Sequence, residues 1–229
     1  MTSSATQPSQ GAPVAGQTAA RRPLAQLLHA LNQPLTGLQC SMEVALAAPR
    51  TPEQYVRGLR EGLELTERMR ALVEAIREVV DLDEEKNETL EITELKAVLR
   101  ETVDDLKPVA EAKKIRLTLN CSEPSSLAVR AGRRRMVSAV FRLLESALSL
   151  SARDNELLIE TGSAAAESWL RIRWRGERLT SSFSRPELGL LIAQASLEQT
   201  GAVWQRERTE TSDAVNVLLP SVCDERRHP

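Results

Sequence analysis

The side chain best placed for chemistry is the imidazole of His29. Polar residues follow it at three, four and seven positions, as Asn32, Gln33 and Thr36. These spacings would place the three residues one to two turns beyond His29, on neighbouring helix faces, where they could contact a partner or position water. An imidazole at the edge of a helical bundle is wet enough to react and is fixed by packing, as a nucleophile requires. The alternative is an ordinary solvent-exposed face.

Pro34 lies within the same segment and modifies the helix that carries His29. Because proline has no N–H, the carbonyl of Ala30 loses its helical partner. We therefore expect a bend one turn past His29, which could open the neighbouring surface to a docking partner.

The elements that must position His29 form a helical hairpin. The first helix begins near Leu24 and ends near Ala48, and Thr51 and Pro52 start the second. Apolar residues at alternating steps of four and three predict a lengthwise seam on each helix: Leu24, Leu28, Leu31, Leu35, Leu38, Met42 and Ala45, then Leu65, Met69, Leu72, Ile76 and Val79. A wider apolar face on the second helix predicts that two hairpins pair as a homodimeric four-helix bundle.

Strand and helix patterns alternate in the rest of the chain. We predict strands at 89–92, 115–119, 127–129, 156–161, 168–174, 202–207 and 214–219 and helices at 93–112, 132–150 and 186–199. The fold class is therefore α+β, with a helical hairpin followed by a two-layer sandwich of helices on one face of a mixed sheet.

Composition excludes several functional classes. The 229 residues include 41% hydrophobic residues, carry a net charge of −2 and hold only six aromatic residues, so neither a phosphate-binding field nor a base-stacking surface is expected. The three cysteines, Cys40, Cys121 and Cys223, lack metal-ligand or disulfide spacing. The balanced charge and the cysteines predict a cytoplasmic protein without a nucleic-acid partner. The lack of a run of about 20 apolar residues predicts that it has no membrane partner.

The segment from Leu28 to Thr36, Leu-His-Ala-Leu-Asn-Gln-Pro-Leu-Thr, resembles the phosphoacceptor box of bacterial sensor histidine kinases. The hairpin and the element order after it are similar to the transmitter module of that family. The resemblance covers about residues 22 to 220 and implies that His29 is the phosphoacceptor, with Asn32, Gln33, Pro34 and Thr36 supporting transfer or contacting a response regulator. It divides the chain into a disordered tail (1–21), a dimerisation hairpin (22–86), a degenerate ATPase-like domain (87–220) and a C-terminal tail (221–229).

The chain departs from the family directly after His29, where Ala30 replaces an acid that would take up the imidazole proton. Either this function is lost, or an acid of the second helix, such as Glu61, Glu64 or Glu67, compensates.

The nucleotide boxes of the family are also degraded. The magnesium-binding Asn-Leu-Leu-x-Asn-Ala pattern aligns with residues 142–147, which include Arg142 and Ser146. The adenine-binding Asp-x-Gly aligns with Trp174 to Gly176, and Gly189 alone remains of the glycine-rich box. The link Leu179–Ser184 is also short for a nucleotide lid. We therefore expect no bound ATP and no metal ligands in this chain.

The resemblance implies a histidine phosphotransferase that relays phosphoryl groups between response regulators through His29, with magnesium supplied by the partner receiver domain. An upstream histidine kinase is a further expected partner. A non-catalytic pseudokinase scaffold is the alternative, and an active ATP-dependent kinase ranks lowest.

Overall fold

The computed structural model describes residues 21–84, 91–121, 127–164, 167–176 and 184–221. Outside the described residues lie 1–20 and 222–229 of the predicted tails (1–21 and 221–229), 89–90 of the first predicted strand and 179–183 of the short link. Cys223 lies outside them as well, whereas Cys40 and Cys121 are free thiols.

Two long helices form the predicted hairpin. Helix α1 spans Arg21–Ala47 and helix α2 spans Pro52–Glu84. Thr51 caps α2, because its hydroxyl accepts the Gln54 N–H at 3.3 Å and the Gln54 side-chain oxygen accepts the Thr51 N–H at 3.0 Å. This reciprocal capping box confirms the predicted start of the second helix.

The predicted seams differ in burial between the two helices. On α2 the seam packs inward, with Leu72 and Val79 buried and Leu65, Met69 and Ile76 half-buried. On α1 the seam divides, because its residues alternate between half-buried and exposed. The exposed members are Leu28, Leu35 and Met42.

The most buried residues of α1 were not in the predicted seam. Leu27 is fully buried and Ala30 is 1% exposed, and Pro34 is also buried. Leu27 and Ala30 belong to an apolar cluster that contains residues of α2 and of a helix more than 150 residues later in the chain, and the local period of α1 gives no information on that later helix.

The remaining elements form the predicted α/β domain. Its helices are α3 (Leu95–Ala112), α4 (Arg133–Leu150) and α5 (Arg185–Glu198). Its strands are β1 (Ile92–Glu94), β2 (Arg116–Cys121), β3 (Ala128–Arg130), β4 (Glu156–Ala164), β5 (Glu167–Arg175), β6 (Val203–Arg208) and β7 (Ser212–Pro220). The predicted order of elements is confirmed, and most boundaries shift by one or two residues.

Five strands form one mixed sheet in the order β2-β4-β5-β7-β6, in which only β2 and β4 run parallel. Strands β1 and β3 form a separate antiparallel pair. The alternating residues of β5, among them Leu170, Ile172 and Trp174, are buried under the helices. This is the two-layer sandwich expected from the sequence.

Helix α5 is the element that joins the domain to the hairpin. Leu190, Ala193 and Leu197 belong to the core of the sandwich. A second apolar cluster combines Leu188, Ile192 and Ala195 of α5 with Leu27, Ala30, Leu72, Ala75 and Val79 of the hairpin. One helix therefore has two buried faces.

Candidate functional site

His29 is exposed on the outer surface of α1, and three predicted supporting residues lie on the same face. Asn32, Gln33 and Thr36 are all exposed, at the three-, four- and seven-residue spacings that line up along a helix. The core-facing residues Leu27 and Ala30 occupy the opposite side. The imidazole is therefore accessible to another protein while its helix is packed from behind.

Pro34 lies away from this exposed face. It is buried toward the hairpin interior, and α1 continues through it to Ala47. One turn along, the Thr36 hydroxyl donates a hydrogen bond to the Asn32 carbonyl at 2.9 Å. Asn32 and Gln33 thus lie along the helix between His29 and Thr36, whose hydroxyl is hydrogen-bonded within the helix. The docking surface attributed to Pro34 stays a prediction.

Ala30 has a structural environment that the sequence alone does not reveal. It is 1% exposed and belongs to the cluster shared with α5. A carboxylate at this position would be placed among leucine and isoleucine side chains, where an unpaired charge is costly. Alanine is therefore the residue type that fits this contact.

The register of the hairpin also tests the three acids considered as replacements. Leu65 lies against Gly37 and Leu38 against Gly62, so His29 is level with about Leu72. At a rise of about 1.5 Å per residue, Glu61 lies about 16 Å and Glu64 about 12 Å from that level along the helix axis. Glu67 is nearer in height but, two residues from the inward-facing Leu65 and Met69, it faces away from α1. Compensation by these acids within one hairpin is not supported.

The residues at the nucleotide positions of the α/β domain have packing roles. Trp174 is 2% exposed and lies in the sandwich core, in the position that aligns with the adenine-binding carboxylate. A Cβ added to Gly176 would approach the Leu150 carbonyl oxygen to 2.2 Å. This glycine thus allows the chain to pass close to the end of α4.

Gly189 likewise permits close packing between helices. A Cβ at this position would lie 2.2 Å from the Ser146 hydroxyl oxygen and 3.8 Å from Cγ of Arg142. Ser146 is buried, and neither it nor Arg142 offers the amide oxygen that the aligned asparagines of the family would give a metal. Arg142 instead forms an ion pair with Glu78 of α2 at 2.7 Å.

A cleft of about 520 Å³ lies where these residues meet the hairpin. Its walls include Glu74 and Glu78 of α2, Arg142 and Glu145 of α4, and Arg185 at the start of α5. Three carboxylates and two guanidinium groups line this cleft, so its charges are mixed and it is not a concentrated positive site for the phosphates of a nucleotide.

An ion-pair network holds the first turn of α5 on the sheet. Glu187 accepts hydrogen bonds from Arg206 at 2.6 Å and from Arg208 at 2.5 Å, and both arginines also pair with Asp213. Burial alone would raise the pKa of the Glu187 carboxyl, but the hydrogen bonds and charges of the two arginines outweigh it and lower that pKa. Arg206 also lies 5.9 Å from the centre of the Trp174 ring.

Sequence reasoning missed this network, because its members are separated by up to 26 positions and none belongs to a motif. It also missed the docking face of α5. The sequence contains a signal for the latter, since residues 188–193 are all apolar and therefore place apolar side chains on every side of α5, as in a helix that is enclosed.

Within the described ranges, no helix is long and apolar enough to cross a membrane, and no three side chains of the metal-ligating types converge as a metal site.

No protein-family model matches the sequence, and no curated protein matches it. Solved structures are similar in fold. A histidine kinase from Acinetobacter baumannii, AdeS, has a TM-score of 0.55 and 18% identity over 85% of this chain and 98% of its own. A histidine kinase from Burkholderia phymatum has a TM-score of 0.52 and 14% identity over 89% of this chain and 98% of its own.

The α/β domain alone is similar to the catalytic domain of histidine kinase ThkA, with a TM-score of 0.51 and 17% identity. This match covers 58% of the chain and 96% of the ThkA domain. The helical hairpin followed by an ATPase-like α/β domain is therefore the fold of a sensor histidine kinase transmitter module.

Proposed function

We propose that this chain is a two-component signalling protein that works as a histidine phosphotransferase, with His29 as the phosphoacceptor. The observation that carries the proposal is the exposed face of α1, on which His29 lies in line with Asn32, Gln33 and Thr36. The partner would be the receiver domain of a response regulator, and a second receiver or an upstream histidine kinase would complete the relay.

In the first step, an unprotonated ring nitrogen of His29 attacks the phosphorus of an aspartyl phosphate on the receiver. A nitrogen–phosphorus bond forms, the phosphorus–oxygen bond to the aspartyl group breaks, and the aspartate leaves as a carboxylate. The proton on the other ring nitrogen passes to water. In the second step, the carboxylate of another receiver attacks the same phosphorus and the imidazole leaves and regains a proton. The receivers' own acidic pockets would hold the magnesium that such transfer uses.

Two features support a relay that does not start from ATP. Trp174 and Ser146 are packing residues at positions where the family binds adenine and metal. These side chains do not fit a magnesium nucleotide, since they supply neither the carboxylate nor the amide oxygen.

Homodimerisation is part of the proposal. Apolar side chains remain exposed on both helices of the hairpin, with Leu59 at 69%, Leu63 at 66% and Met42 at 57% exposure. An exposed apolar stripe of this kind marks a protein contact. A second hairpin of the same chain would cover it in a four-helix bundle.

A pseudokinase scaffold is the second candidate, and one observation favours it. Because Ala30 is buried and Glu61, Glu64 and Glu67 lie away from His29, none of the three acids considered as replacements is placed to assist the imidazole. A scaffold would bind a receiver through the same α1 face without accepting a phosphoryl group.

Purified protein separates these candidates. It is incubated with a receiver carrying labelled aspartyl phosphate and, separately, with labelled ATP. Transfer predicts acid-labile label on His29 from the receiver, a scaffold predicts receiver binding without label, and label from ATP alone would contradict the proposal.

The matched variants are His29→Gln and His228→Gln, since the chain has only two histidines. His29→Gln is expected to retain its helical content and dimer and to lose about 100-fold or more in transfer rate, because the nucleophile is absent. His228→Gln is expected to transfer at the parent rate. Equal transfer by both variants would exclude His29 as the phosphoacceptor.

A further inference from the structure

The two buried faces of α5 have separate partners. One face, with Leu190, Ala193 and Leu197, completes the core of the sandwich. The other face, with Leu188 and Ile192, is buried against the hairpin. A helix at the surface of a mobile domain would need only the first face to be apolar. The second apolar face indicates that the α/β domain remains in contact with the hairpin.

The hairpin side of this contact is formed by small and medium-sized residues. Ala30 and Ala75 bring the backbones of α1 and α2 close to α5, and Leu27 and Leu72 are fully buried beside them. Protein interiors leave little space around such residues, so a longer side chain at position 30 would separate the helices.

Charged residues at the edge of the contact reinforce it from both domains. Arg142 of α4 pairs with Glu78 of α2, and these side chains are 35% and 44% exposed. A neighbouring groove places Asp81 of α2 beside Arg134 and Arg135 of α4. Acidic residues of α2 thus face basic residues of α4.

The start of α5 is also fixed to its own domain. Glu187 in its first turn is bound by Arg206 and Arg208 of β6. Any movement of α5 away from the hairpin would therefore carry the whole sandwich with it.

We propose that the α/β domain is held on the hairpin as a permanent third layer, and that Ala30 is the interface residue on α1 that makes this docking possible. The residue after His29 is then required for packing, and the cleft at Arg142 and Gly189 stays lined by Glu74 and Glu78 of the hairpin. This inference does not depend on phosphotransfer by His29.

Chemical crosslinking in the full-length chain tests the docking directly. Cys40, Cys121 and Cys223 are replaced by serine, and the substitutions Glu78→Cys and Arg142→Cys supply a pair for a short bismaleimide. Because the native side chains at these positions touch, the double-cysteine chain, which is the parent here, is expected to crosslink within one chain. The crosslink is read as loss of both free thiols and as a monomer band that migrates faster on a denaturing gel. Failure of the parent to crosslink would overturn the proposal.

Ala30→Glu and Ala25→Glu are matched variants in this background, since both introduce glutamate on α1. Position 30 is buried in the apolar cluster shared with α5, and position 25 is exposed. We expect Ala30→Glu to slow crosslinking by about tenfold or more, because a carboxylate is expelled from an apolar contact, and Ala25→Glu to leave the rate unchanged. Equal rates in the two variants would overturn the role of Ala30.

Charge reversal provides a measurement that is independent of the folding of Ala30→Glu. Small-angle X-ray scattering of the otherwise unmodified chain is expected to give a larger radius of gyration for Glu78→Arg and for Arg142→Glu. The double reversal is expected to return the radius to the parent value, because the ion pair is restored in the opposite sense. Unchanged radii in both single variants would contradict a contact held by this pair.

Discussion

Replacing Glu187 by glutamine removes one charge from the ion-pair network at the start of α5. The Glu187 side chain is 13% exposed, Asp213 is 14% exposed and Arg206 is 22% exposed, so solvent screens these charges only partly. Hydrogen bonds between charged groups contribute about 1.5 to 3 kcal/mol each, and Asp213 would still accept from both arginines. We therefore expect Glu187→Gln to lower the free energy of unfolding by about 2 kcal/mol at pH 7.

The loss should depend on pH in a defined direction. The pKa of Glu187 is lower in the folded chain than its ordinary value of 4.5, because the hydrogen bonds and charges of Arg206 and Arg208 outweigh the effect of burial. A carboxyl group of this kind stabilises the fold above its unfolded pKa, and the contribution is lost as the pH falls through its folded pKa. The difference in stability between the parent and Glu187→Gln should therefore narrow below about pH 4.5.

Urea denaturation followed by circular dichroism, repeated from pH 7 downward, measures both effects. Glu207→Gln is the matched control, because Glu207 is 60% exposed and lies 3.7 Å from Arg171 on the same sheet. A surface pair of this kind contributes less than about 1 kcal/mol. The reasoning is refuted if the two variants lose equal stability at pH 7, or if the deficit of Glu187→Gln persists at acid pH.

Two further predictions concern packing and assembly. Gly189→Ala should cost about 2 kcal/mol in urea denaturation, because its Cβ would lie 2.2 Å from the Ser146 oxygen, and Ser146→Ala should relieve much of that cost in the double variant. An additive double variant would show that this contact is not the cause. Leu59→Ser combined with Leu63→Ser should retain helical content and shift sedimentation from dimer toward monomer, since both side chains are exposed in the single chain. An unchanged dimer would place the interface elsewhere.

Local patterns in the sequence predicted the elements because each pattern reflects local geometry. The steps of four and three on α2 identified Leu72 and Val79, which are buried. The alternation in β5 identified a strand with one buried face, and Trp174 lies on that face. The capping box at Thr51 depends on residues only three positions apart. Periodicity and capping are sufficient for such elements.

The parts of the site that depend on distant residues could not be predicted in the same way. Glu78 and Arg142 are 64 positions apart. Glu187 of α5 and Asp213 of β7 are linked by Arg206 of β6, which pairs with both carboxylates. In the sequence, each of these side chains is indistinguishable from an ordinary solvent-exposed charged residue. Their pairing depends on sheet order and helix docking, which local spacing does not determine.

Ala30 combines both kinds of information, and the two lead to different conclusions. In the phosphoacceptor box of the family this position holds an acid, so the motif comparison suggests that Glu61, Glu64 or Glu67 replaces it. Compared with its neighbours in space, it is a buried residue whose small volume allows α5 to pack beside Leu27. The same substitution removes a base next to His29 and creates an apolar surface for the α/β domain. If the docking requires the small side chain of Ala30, the Ala30→Glu variant should undock the α/β domain and should not gain ATP-dependent kinase activity. A gain of kinase activity with the domain still docked would favour the motif explanation over the packing explanation.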